Sequence, residues 1–326
     1  MKAILCRAYG GPDVLALEEV AAPVPRPDEV LIRVRAAAVN PLDAHLMRGR
    51  PWFLRPAVGL RRPREPRCGY DVAGVVEAAG GSVARFRPGD EVFGSCRGAF
   101  AELACAAAAK LAAKPRNVTF EEAASAPVAA YTALQGLRDV ARVGAGQRVL
   151  VNGAAGGVGT WAVQVAKWLG ADVTAVCSAA NAAMVRRIGA NAVVDYAREE
   201  FTRSAGAYDA IFDLVGNHGS LACRRALRPD GIYVLAGVLG RGMAGYLAFP
   251  LKAAALAPFS RRRMTVLMAK SRGEDLAVIA DLLGSGAVAP VIDSRFPLAG
   301  VPDAVRRLET KRARGKIVIS VGEEQA

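Results

Sequence analysis

Histidine is nearly absent from this chain of 326 residues; His45 and His218 are the only two. A catalytic zinc takes three ligands from Cys, His or carboxylate and leaves a fourth position open, so a His-rich metal centre is excluded. The six cysteines, Cys6, Cys68, Cys96, Cys105, Cys177 and Cys223, contain no C-x-x-C pair. That spacing removes a zinc ribbon and a thioredoxin-like motif, and leads to the expectation of reduced thiols in a cytoplasmic protein. Long apolar runs are missing as well. No stretch reaches the roughly 18 uninterrupted apolar residues of a membrane span, and the opening MKAILCRAYGGPD breaks off too early for a secretory leader. Acidic residues are in deficit, 30 against 43 Lys and Arg, for a formal charge of +13. Such a balance raises nucleic acid as a partner, yet the arginines are spread along the chain, concentrated only at Arg61 to Arg67, Arg261 to Arg263 and Arg306 to Lys316. Neither zinc-finger spacing nor an aromatic RNA-reading signature accompanies them, so no specific nucleic acid is expected. The reading is a solvated basic surface that attracts small anions.

Apolar residues make up 52% of the chain, which excludes disorder, and the length suffices for two domains with a large buried core. The stretch around which they are organised is Arg148 to Gly170, RVLVNGAAGGVGTWAVQVAKWLG. Val149-Leu150-Val151 reads as a buried parallel strand, the glycines as a tight turn, and Thr160 to Leu169 as a helix closed by Gly170. Gly153, Gly156 and Gly159 fall three apart, with Gly157 beside the second. A side chain there would block the turn, the approach of a pyrophosphate to the backbone, or the packing of helix on strand. The helix start, with its free N–H groups and positive dipole end, then forms the phosphate seat.

Before this unit, residues 1 to about 120 read as short strands punctuated by proline and glycine: Glu29 to Val39, Asp71 to Ala79, and a third entered through the turn Gly89 to Gly94. Their density suggests a compact, partly barrel-like β domain, with Arg61 to Arg67 as an exposed loop. Glu121 to Gly136 carries one helix or two. After the glycine turn come apolar strands at Val173 to Cys177, Ala192 to Val194, Ala210 to Val215 and Ile232 to Gly237, with Asn181 placed to cap a helix that runs to Ile188 and His218 to cap the helix after Gly216. This alternation implies a parallel sheet with helices on both faces, binding ligands at the carboxyl ends of its strands. Asp275 to Leu283 and the segment after Pro302 are helical. Lys316 to Val321 is a last strand expected to rejoin the first domain, and a cleft between the two domains is expected.

An NAD-preferring fold places Asp or Glu about 20 residues past the first glycine to hold the ribose hydroxyls. Here the second strand ends Ala175-Val176-Cys177-Ser178 without an acid. A missing carboxylate removes repulsion of a 2′-phosphate, so NADPH is expected, with NADH left open.

At this point the order of motifs resembles the medium-chain dehydrogenase/reductase superfamily, in its zinc-independent quinone oxidoreductase and zeta-crystallin-like branch. The resemblance runs through Asn40-Pro41-Leu42-Asp43, Gly69 to Gly74, Gly89 to Gly94, Tyr131-Thr132-Ala133-Leu134, Asn152 to Gly159, Asp213 to Gly216 and Gly315-Lys316. It implies an α/β fold: a GroES-like β-barrel catalytic domain over 1–122, rejoined by 290–326, and a Rossmann doubly wound parallel-sheet domain over 123–289. In the zinc-dependent relatives a cysteine stands where this chain has Asn40 and a histidine where it has Tyr70, so the resemblance implies no metal. For the cofactor it implies Asn40 and Thr132 at the nicotinamide end and Gly156, Gly157 and Val158 along the pyrophosphate. Ser178, Asn181 and Tyr196 would border the adenosine ribose. Leu214, Val215, Gly237 and Val238 would offer backbone contacts, and Lys316 a positive charge. Where relatives often carry a cation just after Ser178, this chain has Ala179 and Ala180, a loss that weakens 2′-phosphate binding because charge-assisted bonds are about twice as strong as neutral ones.

The activity implied is NADPH-dependent hydride transfer to a quinone or another conjugated carbonyl acceptor, in a homodimer paired through an edge strand of the nucleotide domain. His45 and Tyr131 are the candidate catalytic donors. Two alternatives stand: a zinc-free alcohol dehydrogenase or enoyl reductase acting on a specific metabolite, and a non-catalytic NADPH-binding protein that contacts RNA or membrane. For Met243 to Ala257, cut by Pro250 and Lys252, a helix near the substrate cleft or a partner subunit is preferred over peripheral membrane contact.

Overall fold

The computed structural model describes residues 1–237 and 261–322. Val238 and the Met243 to Ala257 segment lie outside the described residues. Contacts divide the chain into two compact units: Met1–Val128 with Ser271–Gly286 and the stretch from Pro290 onward, and Ala129–Lys270 with Ala287–Ala289.

The first unit is built on a seven-stranded sheet. Its longest strand, Glu29–Val39, alternates buried and exposed residues in its first half, so Val30, Ile32 and Val34 enter the core. The strand Asp71–Ala79 pairs with it antiparallel on one side, with Asp71 opposite Ala38. On the other side lies the C-terminal strand Lys316–Ser320, with Ile317 opposite Val39. The tail thus rejoins the first unit. This register decides the site, because it brings Asn40, Asp71 and Lys316 to one end of three adjacent strands. Helix Gly273–Gly284, which lies within the range read from sequence as nucleotide-binding, packs in this unit instead. Its first residue lies so close to Ala109 that a Cβ would stand 2.7 Å from that carbonyl oxygen, and Asn117 donates to the carbonyl of Gly284 at 3.2 Å. An apolar helix stripe does not state which sheet it will cover.

Among the described residues the second unit is a six-stranded, wholly parallel sheet. Its strands, Arg148–Asn152, Asp172–Cys177, Ala192–Asp195, Tyr208–Asp213, Leu227–Leu235 and Arg263–Val266, lie in the spatial order 3-2-1-4-5-6, the Rossmann order, whose direction reverses between the first and fourth strands. Val149, Leu150 and Val151 are fully buried, as continuous apolar runs between two helical layers must be. Two buried glutamines act as backbone clamps. Gln164 accepts from the N–H of Ala289 and donates to its carbonyl (2.9 and 3.0 Å), and Gln135 does the same for Lys270 (3.0 and 2.7 Å).

The stretch Glu121 to Gly136, read as one helix or two, holds two, Phe120–Ala124 and Pro127–Leu134, the second opening on a proline, and runs on through a wide π segment, Gln135–Val140. Local readings are corrected at two places. Asn181 precedes the helix Ala182–Arg187, but its side chain donates to Ser178 Oγ at 3.2 Å in place of capping it. His218 caps nothing: the helix Ser220–Ala226 starts from Gly219, and the imidazole packs edge-on against Phe201 with centroids 4.7 Å apart.

Candidate functional site: a glycine cradle and a buried polar cluster

In the second unit the turn after strand Arg148–Asn152 assigns each glycine its own duty. Gly153 has φ +87°, a left-handed conformation that a side chain would strain. At Gly159 a Cβ would lie 2.1 Å from the Gly153 carbonyl oxygen, so this glycine lets the helix pack on the turn. At Gly156 a Cβ would meet only the Gly153 oxygen, at 3.5 Å. The space beside Gly156 is open, and the helix Gly157–Trp168 begins from it with Gly156 in extended conformation. The first N–H groups of a helix have no intrahelical acceptor and sit at its positive end. Gly156, Gly157 and Val158 therefore form a seat that fits a pyrophosphate.

Beside it, at the point where the strand order reverses, Asp213 ends the strand Tyr208–Asp213 and is fully buried. Its carboxylate accepts from the N–H groups of Val215 and Gly216 (2.9 and 2.8 Å), from Asn152 Nδ2 at 2.9 Å and from the Tyr233 hydroxyl at 2.6 Å. Four donors shape the loop that carries Leu214 and Val215. Gly237 approaches the same loop so closely that a Cβ would stand 2.0 Å from the Leu214 carbonyl oxygen. The strand Asp172–Cys177 runs into Ser178, with Ala179 and Ala180 exposed and Asn181 half-buried. Tyr196 is exposed. Thr132 is half-buried, and Tyr131, next to it on the helix, is only 2% exposed.

In the first unit Asn40 is buried at the start of helix Pro41–Arg48. Its N–H donates to Asp43 at 2.8 Å, its amide donates to Asp71 at 2.9 Å, and its amide oxygen accepts from Lys316 Nζ at 2.6 Å. Lys316 also pairs with Asp71 at 3.1 Å, the two side chains being 4% and 0% exposed. Asp71 accepts the N–H of Val128 at 3.1 Å. The charge of Lys316 is thus delivered to Asp71 and Asn40 and not to an open surface. Burial pushes Asp71 above the usual carboxylate range, while Lys316, Asn40 and Val128 pull it down. Burial also raises Asp43, to about 7, opposed by the Asn40 N–H and Lys316 and helped by the charge of Asp71. His45, on the same helix, is displaced downward by burial, which favours a neutral imidazole at pH 7.

Sequence reasoning did not single out Asp71 or Asp213 as organising residues. The available signal was a carboxylate at the edge of an otherwise apolar strand, a position that requires partners. Among the described residues no group of three or more His, Cys, Asp or Glu is placed to hold a metal ion, and no helix is long and apolar enough to cross a membrane.

With this geometry in hand, the comparisons fix the class. Residues 26–116 match the family model of the alcohol dehydrogenase GroES-like domain, and residues 188–319 that of the zinc-binding dehydrogenase. The chain belongs to the medium-chain dehydrogenase/reductase superfamily, in its quinone oxidoreductase-like branch. It is 35% identical to the chloroplastic NADPH-dependent alkenal/one oxidoreductase of Arabidopsis thaliana, over 98% of this chain and 79% of that one. The solved quinone oxidoreductase of Coxiella burnetii is 31% identical with a TM-score of 0.84, covering 99% of both chains. A mycobacterial protein solved with NADPH is likewise 31% identical with a TM-score of 0.84, covering 98% of this chain and 100% of that one.

Proposed function

We propose that this protein is a metal-free, NADPH-dependent reductase of quinones or α,β-unsaturated carbonyl compounds. The observation that carries the reading is the open glycine cradle at the strand reversal, joined to a second strand that ends without an acid. NADPH, when bound, supplies the hydride. The protein's part is to bind, orient and shield. Gly156, Gly157 and Val158 receive the pyrophosphate, Ser178, Asn181 and Tyr196 border the adenosine ribose, and Thr132, Leu214, Val215 and Gly237 contact the nicotinamide side. In the first unit the Asn40 side chain is held in one orientation by Asp71 and Lys316. The metal-free reading is supported by the ammonium of Lys316, which lies 2.6 Å from Asn40 Oδ1 and would repel a second cation beside it.

Charge that develops on the acceptor oxygen then needs hydrogen-bond donors. The demand is small for a quinone, whose reduced form is a stabilised phenolate. His45 supplies the donor as a neutral imidazole, whereas Tyr131 is buried and serves the helix that carries Thr132. The six free thiols suit a reducing compartment such as the cytoplasm, and the strand Arg263–Val266, at the sheet edge among the described residues, suits pairing with a second copy, which sedimentation at graded concentration checks.

The test follows NADPH oxidation optically with a panel of benzoquinones, naphthoquinones, enones and simple alcohols or ketones. Quinone or enone turnover is expected. Turnover of simple alcohols alone, or NADPH binding with no turnover on any acceptor, would overturn the reading. Gly156→Val should lower NADPH affinity by about two orders of magnitude, about 2.7 kcal/mol, with the fold retained. Unchanged affinity in a folded variant would count against the cradle.

A further inference from the structure

Between Asp43 and Glu65 the chain holds six arginines and no acidic residue. Two of the six are engaged: Arg48 pairs with Glu309 at 2.6 Å, and Arg55 donates to the Gly49 carbonyl at 3.1 Å with its guanidinium 4.7 Å from the centre of the Tyr9 ring. The other four, Arg50, Arg61, Arg62 and Arg64, are exposed and join no ion pair among the described residues. Interleaved with them, Trp52 is 75% and Leu60 68% exposed, and Phe53 stands edge-on to Trp52. Exposed Trp and Leu ordinarily forfeit the gain of burial, so their display here needs a reason.

The segment is built. Gly59 N–H donates to Arg55 at 2.7 Å and Arg64 N–H to Val58 at 2.9 Å, while the Tyr9 hydroxyl donates to Gly59 at 2.6 Å. Its backbone is thus tied to the body of the first unit, while Arg50, Trp52, Phe53, Leu60, Arg61, Arg62 and Arg64 stay exposed. Aromatic and aliphatic tips set among unpaired arginines match the interfacial region of a bilayer: the rings and Leu60 enter at headgroup depth while the guanidinium groups meet anionic headgroups. A second copy of the chain fits poorly, because apposing this patch on itself sets four unpaired arginines against four more. A nucleic-acid platform fits poorly too, since bases stack on open ring faces, Leu60 has no ring, and Trp52 and Phe53 meet edge to face at 78°.

We propose that the surface formed by Arg50, Trp52, Phe53, Leu60, Arg61 and Arg62 docks the protein on an anionic lipid bilayer. This inference does not depend on the acceptor or the cofactor. The test is flotation of the full-length protein with vesicles of phosphatidylcholine alone and of phosphatidylcholine mixed with phosphatidylglycerol, at low and high salt. Binding is expected only to the anionic vesicles, weakening as salt rises. Arg61→Ala/Arg62→Ala should reduce partition by about fivefold for each arginine removed, and Trp52→Ala should reduce it at both salt concentrations. Arg198→Ala/Arg203→Ala, which removes equal charge from the second unit, should leave binding unchanged. All variants alter exposed side chains, and an unaltered unfolding midpoint identifies those that fold. Equal loss in the two arginine doubles would reduce the effect to general surface charge. Binding to neutral vesicles as strongly as to anionic ones would overturn the proposal. So would capture of a single-stranded RNA oligonucleotide in place of vesicles, or a dimer that dissociates in the Trp52→Ala variant.

Discussion

Each unit buries one carboxylate at the end of a sheet strand, and the two are satisfied by opposite means. Asp71 in the first unit is neutralised by a cation: Lys316 lies against it, and one amide, that of Asn40, bridges the pair. Asp213 in the second unit has no cation among its bonded partners within the described residues; four neutral donors converge on it. The difference follows from what each must hold. Asp213 shapes a backbone loop, and N–H groups are what a loop has to offer. Asp71 ties three chain segments that are remote in sequence, and a long lysine side chain spans that gap. A buried charge met by a full opposite charge loses more when its partner is removed than one shared among dipoles.

That contrast is testable, and the largest effect is expected at the ion pair. Lys316→Met leaves Asp71 buried and unpaired and should destabilise the fold by about 3–5 kcal/mol in urea unfolding. Adding Asp71→Asn should recover most of the loss; additive effects would mean that the pair is not a unit. Asp213→Ala strands four donors, two of them backbone, and should lower stability by about 2–4 kcal/mol. It should also weaken NADPH binding in titrations followed by nucleotide fluorescence, because Leu214 and Val215 lose their frame. A loss as large as that of Lys316→Met would erase the contrast.

The smallest effect is a pH dependence from Asp43. Its carboxyl is raised from 3.8 to about 7 in the fold, so its contribution to stability is fully present below about pH 4 and is lost as pH rises through 7. Asp43→Asn keeps an oxygen for the Asn40 N–H and should remove this dependence. Relative to the variant, the native chain should lose on the order of 2 kcal/mol between pH 5 and pH 8, read from urea midpoints at the two pH values. Parallel curves would show that the carboxyl titrates near its ordinary value.

Much of this was legible before any coordinates. The strands Glu29–Val39 and Asp71–Ala79 appear with the bounds read from their alternation, and the glycine turn appears between the strand and helix that its flanks announced. Period and turn chemistry act over a few residues, so a linear reading captures them. Side-chain destinations were harder. Asn181 has cap-forming chemistry but donates to Ser178, and His218 finds Phe201 where a helix cap was expected. Local propensity offers alternatives that only packing resolves.

From the chain alone came the strand and helix periods, the glycine spacing that requires a close backbone approach, and the missing acid at the end of the second strand, all properties of neighbouring residues. Tertiary structure alone decided that Lys316 meets Asp71 across 245 residues of sequence, that Asp213 gathers four donors, and that helix Gly273–Gly284 packs in the first unit. Those outcomes depend on sheet register and on which buried charge finds which partner, and register is settled by the packing of the whole fold.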